Sequence, residues 1–382
     1  MNKLAIYIHW PFCKSKCPYC DFNSHVQESI DNQSWLNSYL KQIESFAPLI
    51  KDKTITSIFF GGGTPSLMPA ITVNKIIDKL FSLSKTNNNI EVTLEANPTS
   101  IESQKFVDFK TAGINRVSIG IQSFNELDLK FLGREHSKQE AIEALKIANF
   151  IFDNYSFDLI YALPNQTIET WEQELKEAMQ YSKHHLSLYQ LTIEKGTPFY
   201  LQHKNKKFIL PNSDQAAELY SFTDDFMIEQ NLQPYEISNY AHPGFESQHN
   251  LAYWHYNQYL GIGPGAHSRI MIDNKLCAVV MHHSPKKWLD SVTANIMPIQ
   301  QKTRLTKRDI LLEYLIMRLR IKEGIQLAKL EQLLHQPADQ LLNIKNIHHL
   351  CDLNYITFEN GNLAVTTQGK LLLNKIVEQI IN

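Results

Sequence analysis

The sequence predicts an α/β fold, a six-stranded partial TIM-type (β/α) barrel followed by a small winged-helix-like α+β domain. Three observations carry this. Short β-rich segments alternate with segments of helical period up to about residue 195, and polar or glycine-rich motifs stand where the strands end. Near residue 360, Asn360-Gly361 between two short β-rich runs is a type I′ hairpin signal.

The strand candidates are Leu4 to His9, Ser57 to Phe60, Ile90 to Glu95, Arg116 to Gln122, Tyr155 to Ala162 and His185 to Thr192. Between the first two, Leu36, Tyr39, Leu40, Ile43, Phe46, Ala47 and Ile50 share one helical face, and Trp171, Leu175, Ala178 and Met179 mark another core-facing helix before the sixth strand. Strands and helices spaced in this way form parallel strands with crossovers, as an open doubly wound sheet or as a barrel. His9, Gly61 to Thr64, Glu95, Gln122 and Asp158 all fall at strand ends, where a barrel collects its site, and this favours the barrel. The expected division is a barrel over 1–230, a linking region over 231–298 and a C-terminal domain over 299–382. In the last, Ile310, Leu311, Tyr314, Leu315, Met317 and Leu319 give a helix, Tyr355 to Phe358 and Asn362 to Thr366 a hairpin, and Leu371, Leu372, Ile376 and Ile380 a closing helix. Helices plus a hairpin wing suggest a winged helix.

The 382 residues are 43% hydrophobic and 20% charged, the balance of a soluble globular chain. Lys and Arg number 37 against 39 Asp and Glu, a net charge of -2, so nucleic acid is not expected as a partner. The C-terminal segment counts 11 basic and 8 acidic residues, and a net of +3 is weak support for a DNA-binding wing. No apolar run is long enough for a transmembrane segment, and Leu4 to Ile8 runs into His9 and Pro11 rather than into a cleavage site, so the expected location is cytoplasmic.

Three of the five cysteines fall within eight residues, as Cys13-Lys14-Ser15-Lys16-Cys17-Pro18-Tyr19-Cys20, while Cys277 and Cys351 stand alone. This is no disulfide framework; it points to metal or redox chemistry. A 4Fe-4S cluster usually takes four thiolates, and three from one loop leave one iron open to chelate the amino and carboxylate groups of S-adenosylmethionine (SAM). The alternative is a zinc knuckle of Cys13, Cys17 and Cys20 with His25 or His9 as fourth ligand.

The run Tyr7 to Cys13, the cysteine loop and Asp21-Phe22-Asn23-Ser24-His25 resemble the HemW branch of the radical SAM superfamily, related to the HemN-type oxygen-independent coproporphyrinogen III dehydrogenases. The likeness continues through Gly61-Gly62-Gly63-Thr64-Pro65, Glu95-Ala96-Asn97-Pro98, Arg116 to Asn125, Gly133-Arg134-Glu135, Asp158 to Thr167, Tyr235 to Ala241 and Gly261 to Ser268, over nearly the whole chain. It implies a partial barrel of the radical SAM type, with the cluster on Cys13, Cys17 and Cys20. It further implies SAM contacts from Gly62, Gly63 and Thr64 at the methionine end, from Tyr7 and Tyr19 beside it, from Glu95, Gln122, Arg134 and Asp158, and from the backbone at His267.

Read from the residues alone, each has a plainer role. Gly61 to Gly63 make a tight strand-to-helix turn, Gln122 and Asp158 bond at strand ends, and Glu95 and Arg134 are surface charges. A zwitterionic, sulfonium-bearing ligand nevertheless needs both signs nearby.

The HemN type has a further cysteine two positions beyond its third ligand, where this chain has Phe22, and an arm ahead of its cluster loop, where this chain has twelve residues. The HemW branch shares the run His249-Asn250-Leu251-Ala252-Tyr253-Trp254, in which an imidazole stands beside two aromatic rings that suit a porphyrin face. His242, His249, His255 and His267 lie within 26 residues, and by composition alone they would satisfy loop backbone; His9 is a lesser candidate for a heme ligand. The expected function is therefore that of a heme chaperone passing heme to a hemoprotein acceptor, with peripheral membrane association through that acceptor. The alternatives are a radical SAM coproporphyrinogen III dehydrogenase of porphyrin biosynthesis and a zinc-dependent DNA-binding protein.

Overall fold

Strict alternation within the early strands decides the architecture. In β1 (Lys3–Trp10), β2 (Thr54–Gly62), β3 (Lys85–Ala96, its side chains described from Ile90), β4 (Arg116–Gln122), β5 (Asn154–Tyr161) and β6 (His185–Gln190), successive described side chains face opposite sides of the sheet. One face carries Ile6, Ile8, Ile58, Phe60, Leu94, Val117, Ile119, Phe157, Leu159 and Leu186, all buried in the main core. The opposite face is rich in polar groups, among them His9, Ser57, Thr93, Glu95, Arg116, Ser118, Asp158 and Ser187. Here the helices cover the apolar face and the polar face turns inward, as in a barrel wall that holds a site. The computed structural model describes residues 2–382, with the side chains of 85–89, 100 and 101 outside the described set.

The six strands pair in sequence order, all parallel, with α1 (Asn32–Ser45), α2 (Ala70–Leu83), α3 (Lys138–Ile151) and α4 (Ile168–Met179) in the crossovers. The sheet does not stop at six. Beyond β6 it continues antiparallel through β7 (Asn239–Ala241) to the pair Gln233–Pro234. On the other side β8 (Gln258–Ile262) pairs parallel with β1, followed by antiparallel β9 (His267–Ile272), β10 (Lys275–Met281) and β11 (Ile299–Arg304). Residues 231–298, expected as a linking region, thus extend both edges of one 12-stranded sheet. Between these extensions α5 (Gln248–Trp254), which carries the HNxxYW run, packs against β2 and β8.

The first helix is buried through Trp35, Ser38, Tyr39, Gln42 and Ile43, a face that includes two polar residues. Gln42 is tolerated there because its Oε1 accepts from the Gly263 N–H at 2.9 Å and from Trp288 Nε1 at 3.1 Å. The C-terminal unit has its own core, with α6 (Lys307–Arg318), shorter helices at Leu327–Leu334 and Ile344–Asp352, the hairpin Ile356–Glu359 and Asn362–Val365, and a last helix at Leu373–Ile380. Asn360 and Gly361 both have positive φ (51° and 72°), as the type I′ turn requires. A third strand, Ile325–Gln326, pairs with the hairpin. Among the described residues no helix is long and apolar enough to cross a membrane.

Candidate functional site

The C-terminal ends of β1 to β6 surround a cavity of about 500 Å³ on the polar side of the sheet. Cys13, Cys17, Cys20 and Tyr19 form one wall; Gly62, Gly63, Thr64, Glu95 and Gln122 reach it from strand ends and the turns after them, Asp158 from within β5, and Arg134 from the loop before α3. Gly62 sits at φ +114°, and a Cβ there would stand 2.6 Å from the His9 ring; one at Gly63 would stand 2.6 Å from the Phe12 carbonyl. Only glycine lets this turn fold onto the cysteine loop.

The thiols are tied to the strand-end motifs by hydrogen bonds. Thr64 Oγ1 donates to Cys13 Sγ at 3.4 Å, and Arg134 Nη1 donates to Cys17 Sγ at 3.4 Å. Cys20 Sγ lies 3.9 Å from Ser24 Oγ, and the Cys20 N–H closes the loop on the Cys17 carbonyl at 3.1 Å. Arg134 is fixed in turn by Asn97 Oδ1 at 2.7 Å and the Gly120 carbonyl at 2.8 Å, while Asn97 Nδ2 donates to Thr64 Oγ1 at 3.1 Å. The Asn97 N–H and Ser66 both bond to the buried carboxylate of Glu102.

Two carboxyl groups close the inner wall. Burial, joined by the charge of Asp158, raises Glu95 to about 8 against the pull of the Gly62 N–H, which donates to Oε2 at 3.1 Å. Asp158 is raised by burial to about 6, opposed by Ser187, Arg116, Ser118 and Arg134. Burial also pushes the Cys13 and Cys20 thiols up. Cationic and donor groups beside the sulfurs favour thiolates, and Arg134 Nε is buried without a hydrogen-bond partner.

These surroundings suit an iron-sulfur cluster better than a zinc knuckle. Among the described residues no three His, Cys, Asp or Glu converge as ligands of one metal ion. A cuboidal cluster instead takes one thiolate per iron, from sulfurs that share a cavity without sharing a point. Nor are the expected fourth zinc ligands free. His9 Nε2 meets the Asn23 carbonyl at 2.9 Å and its Nδ1 pairs with Tyr7 OH at 3.1 Å, while His25 Nε2 lies 3.2 Å from Asn23 Oδ1.

Three expected site residues stand off the cavity wall. Tyr7 is half-buried behind Gly61, whose added Cβ would lie 2.9 Å from the Tyr7 ring, and desolvation holds its phenol well above the usual range. His267 opens β9 at the surface, with its carbonyl against Gly261. His249 lies inside the barrel, buried between Phe59, Tyr7 and Tyr253, with Nδ1 2.9 Å from Ser57 Oγ and Nε2 2.8 Å from Tyr253 OH. Burial lowers it to about 3. With both nitrogens engaged, this imidazole plugs the barrel floor and offers no lone pair to a heme iron. The four histidines noted between 242 and 267 are likewise dispersed: His242 lies beside His184, and His267 beside His283.

Of the other cavity residues, Tyr189 and Glu194 lie outside the motifs, whereas Ser118 and Ser238 fall within the runs Arg116 to Asn125 and Tyr235 to Ala241 but were not singled out there. Ser118 was marked by its period, since it shares the inward parity of Gly120 and Gln122 on β4. Ser238 comes from the segment that leads into the edge strand β7.

A parallel β/α barrel wall with a three-cysteine loop at its C-terminal rim defines a class, and the comparisons agree with it. Residues 7–178 match the model of the Radical SAM superfamily and residues 305–372 that of the HemN C-terminal domain. The chain is 34% identical to "Heme chaperone HemW" of Buchnera aphidicola subsp. Schizaphis graminum over 98% of this chain and 97% of that one. It is 33% identical to "Radical S-adenosyl methionine domain-containing protein 1, mitochondrial" of Danio rerio over 99% of this chain and 86% of the relative. In fold it resembles the coproporphyrinogen III oxidase HemN of Escherichia coli, with a TM-score of 0.83 at 23% identity over 99% of this chain and 89% of that one. The chain belongs to the HemW family of radical SAM proteins.

Proposed function

We propose that this protein binds heme and passes it to a hemoprotein acceptor in the cytoplasm, and that it holds a 4Fe-4S cluster on Cys13, Cys17 and Cys20 with SAM in the adjoining cavity. The observation that carries the cofactor reading is the gathering of three thiols, the Arg134 guanidinium and the carboxyl groups of Glu95 and Asp158 around one cavity. Such a cluster, when bound, supplies an electron for reductive cleavage of a sulfonium C–S bond. The protein's part is to hold the sulfurs with Thr64 and Arg134, to set charges of both signs around a zwitterion, and to shield the site behind the loop of residues 13–25. The name of the Buchnera relative supports heme as cargo, whereas the likeness to HemN at 23% identity speaks for the fold alone.

One experiment separates carrier from dehydrogenase. The reconstituted protein is given either hemin or coproporphyrinogen III. A carrier takes up about one heme per chain and yields it to an apo-hemoprotein, and it leaves the porphyrinogen unchanged. Robust porphyrinogen conversion with matching loss of SAM would overturn this reading.

A further inference from the structure

We infer that His267 and His283, at the rim beside the cluster loop, are the pair that ligates the iron of a bound heme. The inference rests on the heme-carrier reading and gives it a place on the surface, away from the buried HNxxYW histidine. The ring centres of the two imidazoles are 6.2 Å apart at an interplanar angle of 66°. Two axial imidazoles on one iron, each bonded at about 2 Å with its ring centre about 1 Å further back, stand about 6 Å apart from centre to centre. Rotation about each iron–nitrogen axis leaves the ring angle free.

Both histidines are exposed, and their ring nitrogens have no hydrogen-bond partner among the described residues, in contrast to the engaged nitrogens of His9 and His249. The backbone beneath them is rigid. His267 pairs with Val280 across the β9–β10 hairpin, and His283 lies two residues beyond the end of β10, with the His282 carbonyl held by the Gly265 N–H at 2.9 Å.

The neighbouring surface suits a porphyrin rather than a bare ion. Asn23 Nδ2 donates to the Pro264 and His283 carbonyls at 3.1 and 3.0 Å, and this holds the segment from Phe22 to Val26 against the histidine turn. Phe22 and Val26 are 60% and 59% exposed, large apolar side chains with no protein partner to cover them. Lys16, bonded to the Phe22 and Ser24 carbonyls at 3.2 and 3.3 Å, sets a cation beside them for a propionate. A divalent ion would need more ligands than two, and among the described residues no third one completes such a set.

The test is a hemin titration of the full-length protein, wild type and variants, read by the optical and EPR signatures of the ferric iron. The wild type should give a low-spin, six-coordinate spectrum. His267→Ala and His283→Ala should each convert it to high-spin and weaken binding about tenfold or more, the double variant should lose the specific spectrum, and the surface control His203→Ala should change nothing. Since both residues are exposed, melting curves and cluster absorbance should match the wild type; if either single variant misfolds, His283→Met keeps an axial ligand of another kind and must still move the spectrum. A double variant that binds hemin with the wild-type affinity and spectrum overturns this site and leaves the carrier reading standing. A wild type that takes up no hemin removes both.

Discussion

Glu95 shows how a single residue links burial to ligand chemistry. Its carboxyl is raised to about 8, so near neutral pH it is mostly protonated in the free protein. A cationic sulfonium beside it favours the ionised form and lowers that value. Binding therefore releases a proton, and SAM affinity should rise with pH up to about 8 and then level off. Glu95→Gln should flatten the profile, which titration calorimetry in two buffers of different ionisation heat can check. Arg134→Ala should weaken SAM binding about tenfold or more and, because Arg134 also donates to Cys17, should leave the cluster more labile to oxygen. At this scale the sequence was partly legible. The glycine turn, the cysteines and the strand-end charges were visible because each is an unusual residue at a marked position. His249 was not, since its role depends on Ser57 and Tyr253, which are distant or ambiguous in sequence. Gln42 escaped for a similar reason: a polar side chain reads as solvated until the Gly263 and Trp288 donors that satisfy it are in place.

Among the elements, the strand-to-helix turn at Gly61 to Gly63 leaves no room for a side chain. An alanine at Gly62 would meet an unfavourable φ and the ring of His9 together, and one at Gly63 would meet the Phe12 backbone. Gly62→Ala should cost about 1–3 kcal/mol of stability. It should also displace His9 from Asn23, and urea unfolding alongside cluster absorbance should report both losses. The six parallel strands were legible because each is a short β-rich run between helical segments, and five of them carry a polar or glycine-rich motif. The extensions were hidden for opposite reasons. Asn239–Ala241 is only three residues long, and Ile299–Arg304 is polar and mostly exposed, so neither has the apolar pattern by which a strand is recognised.

The whole molecule depends on how the C-terminal unit is seated against the barrel. Arg320 reaches Glu236 at 2.9 Å and lies over the Trp254 ring at 4.6 Å, so the HNxxYW helix is held between both units. Arg269 grips Glu313 through two nitrogens, and Lys370 faces the buried Asp224 at 3.5 Å. Arg320→Ala leaves the Glu236 carboxylate buried with Ser238 and Asn239 as its remaining partners, and it should cost about 3 kcal/mol. Limited proteolysis should then cut the C-terminal unit before the barrel.

The central claim is that the cysteine loop and the cavity behind it hold one redox cofactor together with its ligand. EPR of the dithionite-reduced, anaerobically reconstituted protein, recorded without and with SAM and paired with iron analysis, tests this most directly. About four irons per chain are expected, with a reduced-cluster signal that shifts on adding SAM and is lost in Cys13→Ala, Cys17→Ala and Cys20→Ala but not in Cys277→Ala or Cys351→Ala. Stoichiometric zinc with little iron, or a cluster signal indifferent to SAM, would contradict it.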